Sequence, residues 1–196
     1  MKKNATKVSG KKSALLPIFR SESQALILAS LLLQDKEFTM TEIVEETGVS
    51  RSKVDREIDR LLESNLITSR FQGRNRLVKV SINEPLRGIL YQLMLHTYGP
   101  KDILTKHYQD VKGIDFLYIY GSWAARFNNI PGSQPNDIDL LVVGNPDAQE
   151  VNEIADSVAL ILKKEVNPHI VKTESWENPS GDFLKGLKDG PLVPLI

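Results

Sequence analysis

The sequence predicts an α+β chain of two modules, on three observations. The first is charge. Residues 1–112 carry 19 Lys and Arg against 13 Asp and Glu, a net of +6, and residues 113–196 carry 6 against 12, a net of −6, so a chain that is neutral overall is basic in one half and acidic in the other. The second is a run of helically spaced apolar residues that gives way, after Asn65, to two short strand-like stretches separated by Gly73 and Asn75. The third is an alternation of strand-like and helix-like segments from Gly113 onward. The 196 residues, 41% of them hydrophobic, suffice for one large domain or two small ones.

Taken in order, residues 1–20 hold Lys2, Lys3, Lys7, Lys11 and Lys12 with little apolar content. They read as a flexible basic tail, either solubilising or reaching for nucleic acid. From Ser21, the spacing of Ala25, Leu28, Ala29 and Leu32 predicts a helix capped by Ser21 or Ser23. "TMTEIVEETG" predicts a second helix, capped by Thr39 or Thr41, with Ile43 and Val44 facing inward and Gly48 ending it. Ser50 is the natural N-cap of a third, over 50–64, whose apolar stripe is Val54, Ile58, Leu61 and Leu62. Leu66–Thr68 and Leu77–Val80 predict two strands of a hairpin.

Asn83-Glu84-Pro85 opens a longer helix, with Leu86, Ile89, Leu90, Leu93, Met94 and Thr97 as its expected buried side. Gly99-Pro100 breaks it, and a further helical piece runs from Lys101 to Lys112. This segment, 85–112, is expected to connect the modules, and a dimer surface is the alternative. Beyond it, "IDFLYIY", "DIDLLVVG" and "EVNPHIV" read as strands, with the short helix "SWAARF" after the first and the amphipathic helix "DAQEVNEIADSVALILKK" after the second. Short helices are expected over 173–178 and 182–189, and "LVPLI" reads as a last strand. The predicted organisation is a tail (1–20), a first module (21–84), a helical connector (85–112) and a second module (113–196).

Several function classes are excluded. With no cysteine there is neither a disulfide nor a thiolate metal site. His96, His107 and His169 stand too far apart for a zinc pair. The longest apolar stretch, Ala25 to Leu33, is too short to span a bilayer, and neither its flanks nor its surroundings suit a signal peptide. A cytoplasmic protein without a membrane partner is expected.

In the basic half, helix, glycine turn, helix and hairpin follow one another. Arg51, Ser52, Lys53 and Arg56 crowd the N-terminal end of the third helix, where side chains and free N–H groups can meet phosphates and base edges. Arg70, Arg74 and Arg76, with Lys79, make the hairpin almost wholly basic. Over residues 22–83 this pattern resembles the winged helix-turn-helix domains of bacterial transcription regulators of the MarR or ArsR type. The resemblance implies DNA as a partner, bound through Arg51, Ser52, Lys53, Arg56, Arg70, Arg74 and Arg76, and a homodimer. The competing reading is a protein-docking module with a solvated basic face. Asp55, Glu57 and Asp59 on the same helix favour that reading; the basic hairpin favours DNA.

In the acidic half, one stretch carries the chemistry: "YGSWAARFNNIPGSQPNDIDLLVVG", residues 120–144. A strand has a side-chain period of two, so Asp137 and Asp139 share a face while Ile138 and Leu140 turn to a core. Two adjacent carboxylates repel unless a cation sits between them, and Mg²⁺ takes one or two carboxylates together with substrate phosphates. Gly121 allows close backbone approach, and Ser122 opens a helix whose N-terminus favours an anion. The arrangement suits a nucleoside triphosphate with its metal; the alternative is surface acids after an ordinary turn.

Tyr120-Gly121-Ser122 and, after a gap of about a dozen residues, Asp137-Ile138-Asp139 resemble the signature of the nucleotidyltransferase domain of the DNA polymerase β superfamily, in the minimal bacterial version known from antitoxin-like proteins. The resemblance covers about residues 113–172. It implies a polymerase-β-like α/β domain, Mg²⁺ or Mn²⁺ held by Asp137 and Asp139, and an NTP whose triphosphate meets Gly121 and Ser122. Arg126, one helical turn after Ser122, either reaches the β- or γ-phosphate or is a structural arginine. The family also expects a third carboxylate on the next strand. Asn167 stands at that position here, and Glu165, two residues earlier on the same face, is the substitute catalytic acid. His169 shares that face. The implied activity is transfer of a nucleoside monophosphate to a hydroxyl on a protein, a small molecule or an RNA end. The alternative is a transcription regulator whose degenerate transferase domain senses nucleotide or binds a partner such as a toxin.

Overall fold

A computed structural model describes residues 19–34, 36–81, 83 and 85–196. The basic tail, apart from Phe19 and Arg20, and Glu84 of the expected helix opening lie outside the described residues. The chain falls into two compact units, one of the residues up to Ser30 with Glu37–Ser81, the other of Leu31–Lys36 with the remainder of the chain. It is a mixed α+β chain, with helices and a small sheet in the first unit and a four-stranded sheet with helices in the second.

In order, the elements reaching into the first unit are α1 (Glu22–Leu32), β1 (Phe38–Thr39), α2 (Met40–Thr47), α3 (Arg51–Glu63), β2 (Ile67–Gln72) and β3 (Asn75–Val80). The Ser21 hydroxyl, not that of Ser23, accepts from the Gln24 N–H and caps α1. Ala25, Leu28, Ala29 and Leu32 are buried as their spacing predicts. Thr39 caps α2 through a capping box: its hydroxyl accepts from the Glu42 N–H at 3.1 Å, and the Glu42 carboxylate accepts from the Thr39 N–H at 2.6 Å. Gly48 ends α2 in the left-handed region, φ +66, where a side chain would be strained. Thr39→Ala is expected to destabilise the chain by about 1 kcal/mol, read as a lower denaturant midpoint at unchanged slope.

Ser50 occupies the N-cap of α3, although its side chain makes no capping hydrogen bond. Val54, Ile58 and Leu61 are buried, whereas Leu62 is only partly so. Strands β2 and β3 pair antiparallel from Ile67↔Val80 to Gln72↔Asn75, longer than predicted. Two-residue β1 adds to the other edge of β3 and gives the order β1-β3-β2. Its buried Phe38 was not predicted as strand, because "FT" is too short to show a period.

The second unit continues with α4 (Leu86–Tyr98), α5 (Pro100–Tyr108), β4 (Ile114–Tyr120), α6 (Gly121–Phe127), β5 (Asp137–Gly144), α7 (Ala148–Leu162), β6 (Glu165–Val171), α8 (Thr173–Glu177), α9 (Asp182–Asp189) and β7 (Val193–Pro194). The sheet order is β6-β5-β4-β7, with β5 and β6 parallel and the other neighbours antiparallel. A parallel pair needs a crossover, which α7 supplies. One sheet face, with Leu117, Ile119, Ile138, Leu140 and Val142, packs on α5, α6 and α7 through residues such as Leu104, Tyr108, Trp123, Phe127 and Val158. The opposite face carries a smaller cluster of Leu141, Val143, Val171 and Trp176, against which Tyr118, Tyr120, Leu184 and Leu187 pack.

The segment expected to connect the modules contributes Leu95, Leu104, Tyr108 and Val111 to this core. The buried side predicted for α4 needs correction. Leu86 and Ile89 are 48% and 62% exposed, whereas Met94 is buried as predicted, Leu90, Leu93 and Thr97 are half-buried, and Tyr91 and Leu95 join the packed side. The inward stripe is set by where α4 meets α6, fixed by Gln92 donating to the Arg126 carbonyl at 2.7 Å, and no local pattern reveals that docking angle.

Candidate functional site

The first unit presents α3 and the β2–β3 hairpin as a candidate nucleic-acid interface. Arg51, Ser52, Lys53 and Arg56 are exposed at the start of α3, and Arg70 and Arg74 are exposed on the hairpin, with Arg76 half-buried. Asp55, Glu57 and Asp59 of α3 do not simply dilute this charge; each holds an arginine. Asp55 pairs with Arg51 (3.0 Å), and Asp59 pairs with Arg76 (2.9 Å). Glu57, buried, accepts from both Arg20 and Arg60. Arg70 makes a two-pronged contact with Glu37, which holds the Glu37 carboxyl below the usual carboxylate range.

The seven predicted residues therefore differ in commitment. Among the described residues, Lys53 and Arg74 have no ion-pair partner, and Arg56 donates only to the Ser52 carbonyl (3.2 Å). Arg51, Arg70 and Arg76 must leave or share a carboxylate before they can neutralise a phosphate. Sequence reasoning missed Phe71, which faces Arg76 in register and is 72% exposed near the hairpin tip. Its signal was available: a large aromatic between Arg70 and Gly73, where a core residue has no place.

In the second unit, the strand period does what the sequence predicts. Ile138 and Leu140 are fully buried, and half-buried Asp137 and Asp139 share the other face. The register then adds what the sequence could not. Tyr120 lies opposite Asp139 on β4, and Asn167 lies opposite it on β6. Gly121 follows Tyr120 directly, in the left-handed region at φ +67, and a Cβ there would stand 2.6 Å from Asp139 Oδ2. The glycine bend and the carboxylate are thus in contact, and only a residue without a side chain fits between them.

Electrostatics mark the same spot. Burial, and then the negative charge of Asp137, raise the Asp139 pKa above the ordinary value, and the Asn167 amide offsets part of this. The amide also donates to Asp137 Oδ2 at 3.2 Å. Burial, followed by the charges of Asp139 and Asp137, raises the Tyr120 pKa as well. Two carboxylates forced together in this way are suited to a divalent cation. Among the described residues, however, no group of three or more His, Asp or Glu side chains converges to hold a metal. Glu165 does not complete such a group: the parallel register sets it opposite Asp137, exposed at the start of β6, while Asn167 occupies the place across from Asp139.

Ser122 is exposed in the first turn of α6, a helix of seven residues that begins at Gly121 with Tyr120 as its N-cap. Arg126 is drawn elsewhere. Its guanidinium lies against Gly132, in the segment between α6 and β5, so closely that a Cβ on that glycine would meet it at 2.4 Å. Its charge reaches the half-buried Tyr91 of α4, and its Nε is buried without a hydrogen-bond partner. His169 is exposed, and its ring meets that of Phe183, a residue with no signal in the sequence, at 5.1 Å.

Residues 22–69 match the family model described as bacterial regulatory protein, arsR family. The first unit is thus a winged helix of the class found in bacterial transcription regulators. The match ends within β2 and does not reach the four-stranded sheet. Among solved structures, reduced HlyU from Vibrio cholerae is similar over 42% of this chain and 81% of its own, with 22% identity and a TM-score of 0.34. AF1382 from Archaeoglobus fulgidus is similar over 45% and 94%, with 16% identity and a TM-score of 0.35. A mutant MarR from E. coli complexed with operator DNA is similar over 47% and 64%, with 19% identity and a TM-score of 0.35. No curated protein matches the chain. Among the described residues, no helix is long and apolar enough to cross a membrane.

Proposed function

We propose that the chain is a DNA-binding transcription regulator of the ArsR or MarR type, whose second unit is a nucleotidyltransferase-like domain that binds a nucleoside triphosphate with Mg²⁺ or Mn²⁺. The observation that carries the second half is the contact of the Gly121 bend with Asp139, beside Asp137. Asp137 and Asp139 would hold the metal, which would supply the positive charge that offsets their mutual repulsion and favours a polyphosphate beside them. Gly121 lets Asp139 come against the bend, an approach a side chain would prevent. Asn167 sits where catalysis asks for a base, and its amide can only donate to a carboxylate or accept through its carbonyl oxygen. That favours nucleotide sensing over turnover.

The second reading is an enzyme that transfers a nucleoside monophosphate to a hydroxyl acceptor. In that case the hydroxyl oxygen bonds to the α-phosphorus, pyrophosphate leaves, and the hydroxyl proton passes to a base. Incubation with α-labelled ATP and Mg²⁺ or Mn²⁺ separates the two. The sensing reading predicts retained ATP and no covalent label on protein or RNA; label transfer that disappears in Asp137→Ala supports the enzyme.

On the DNA side, Lys53→Ala, Arg56→Ala and Arg74→Ala are each expected to weaken duplex binding about tenfold and to lower the slope of log K against log salt by about one. Arg76→Ala, whose charge Asp59 already holds, should cost less than about threefold. Fluorescence anisotropy with a random-sequence duplex, repeated across a salt series, checks the order. Equal losses at all four positions, or binding indifferent to salt, would count against this interface.

A further inference from the structure

We propose that Phe183 is the platform on which the base of a nucleoside triphosphate stacks while its phosphates lie at Asp137 and Asp139. The inference rests on the nucleotide reading of that site, and it names the residue that would meet the base.

The sheet brings the parts together. Tyr120, Asp139 and Asn167 are neighbours across β4, β5 and β6, and His169 stands two residues along β6 from Asn167, opposite Leu141. Residues paired in register point to the same side of a sheet, and Asn167 and His169 are two apart on one strand, so all four share one face. Phe183, in the first turn of α9, comes down on that face. Its ring meets Tyr120 at 6.3 Å and 81°, and His169 at 5.1 Å and 71°. Since Tyr120 belongs to β4 and His169 to β6, the phenyl ring spans the two strands that flank the one bearing the carboxylates.

The packing of α9 does not account for this ring. Leu184 and Leu187 anchor the helix to the cluster of Leu141, Val143, Val171 and Trp176. Phe183 is outside that cluster and stays 50% exposed. Edge-to-face contacts on two sides fix the ring's orientation and leave surface open to solvent. A half-exposed aromatic on the sheet face that bears an acidic pair is poorly suited to an anion alone. It is well suited to a planar base whose phosphates are carried by a cation at the acids. Stacking tolerates every base, because each has a π-face, so the expected ligand class is nucleoside triphosphates generally.

The test is calorimetry on the full chain in Mg²⁺ buffer, with ATP, UTP and inorganic tripolyphosphate as separate probes. Phe183→Ala is expected to weaken ATP and UTP about tenfold and to leave tripolyphosphate within about twofold. Phe183→Leu, which keeps apolar bulk without a π-face, should behave like the alanine variant, and Phe183→Trp should restore nucleotide affinity. If the wild-type chain binds tripolyphosphate as tightly as ATP, or if Phe183→Ala weakens both alike, the stacking platform is overturned while the metal–polyphosphate site stands. If the wild-type chain binds none of the three probes, the nucleotide reading itself fails and takes this inference with it.

Discussion

Asp139→Asn is expected to weaken Mg²⁺-dependent ATP binding on the order of a hundredfold while raising the melting temperature of the metal-free chain. The two effects share one cause. Asp139 is half-buried beside Asp137, and both burial and that neighbouring charge disfavour its ionised form. Amide for carboxylate keeps the shape and removes the repulsion, so the folded chain gains stability when no cation is present. The same change removes half of the negative charge that would attract the metal, and with it the bridge to the phosphates. A purely structural aspartate would give neither the trade-off nor the dependence on Mg²⁺. Paired thermal-shift and binding measurements read both effects; a variant less stable than wild type, with nucleotide affinity unchanged, would contradict the assignment.

Gly121→Ala tests the bend rather than the acids. Alanine at φ +67 costs about 1 kcal/mol through backbone strain. Its methyl group would also stand 2.6 Å from Asp139 Oδ2, a separation at which something must shift. The carboxylate is the part able to rotate, and rotating it spoils its alignment with Asp137. The expected result is a melting temperature lower by a few degrees and ATP·Mg²⁺ affinity lower by about tenfold or more. Unlike Asp139→Asn, this variant keeps both charges, so loss of nucleotide affinity here reports position alone. Gly73→Ala serves as the control, since Gly73 also has a positive φ (+61) but has nothing within 4 Å of the added carbon. It should lose comparable stability and no nucleotide affinity.

What the sequence revealed, and what it hid, divides by range. The shared face of Asp137 and Asp139 follows from strand period alone, and the third strand, "EVNPHIV", is β6 with the same limits. The capping box at Thr39 and the glycine stop at Gly48 are encoded within a few residues and were legible as such. The contact of Gly121 with Asp139 was not, because it depends on how β4 registers against β5 across seventeen intervening positions of chain. Leu86 and Ile89 looked buried because helical spacing identifies an apolar stripe without saying which part of it meets a partner. The place of Arg126 one turn beyond Ser122 leaves it either reaching phosphate or structural; its guanidinium lies on Gly132, a loop contact that no periodicity encodes. As charges alone the acids of α3 oppose DNA; the pairs of Asp55 with Arg51 and Glu57 with Arg60 lie within a helical turn, but Arg20 and Arg76, which meet Glu57 and Asp59, lie 37 and 17 residues away. Phe183 came from outside every motif, and only the folded sheet places it beside Tyr120 and His169.

The most direct test of the central claim is a calorimetric titration of ATP into the full chain with Mg²⁺ present. Saturable heat from a single site is the predicted outcome, abolished when the metal is chelated and reduced to background in Asp137→Ala. No heat from the wild-type chain, or a signal that persists without metal and without that carboxylate, would contradict it.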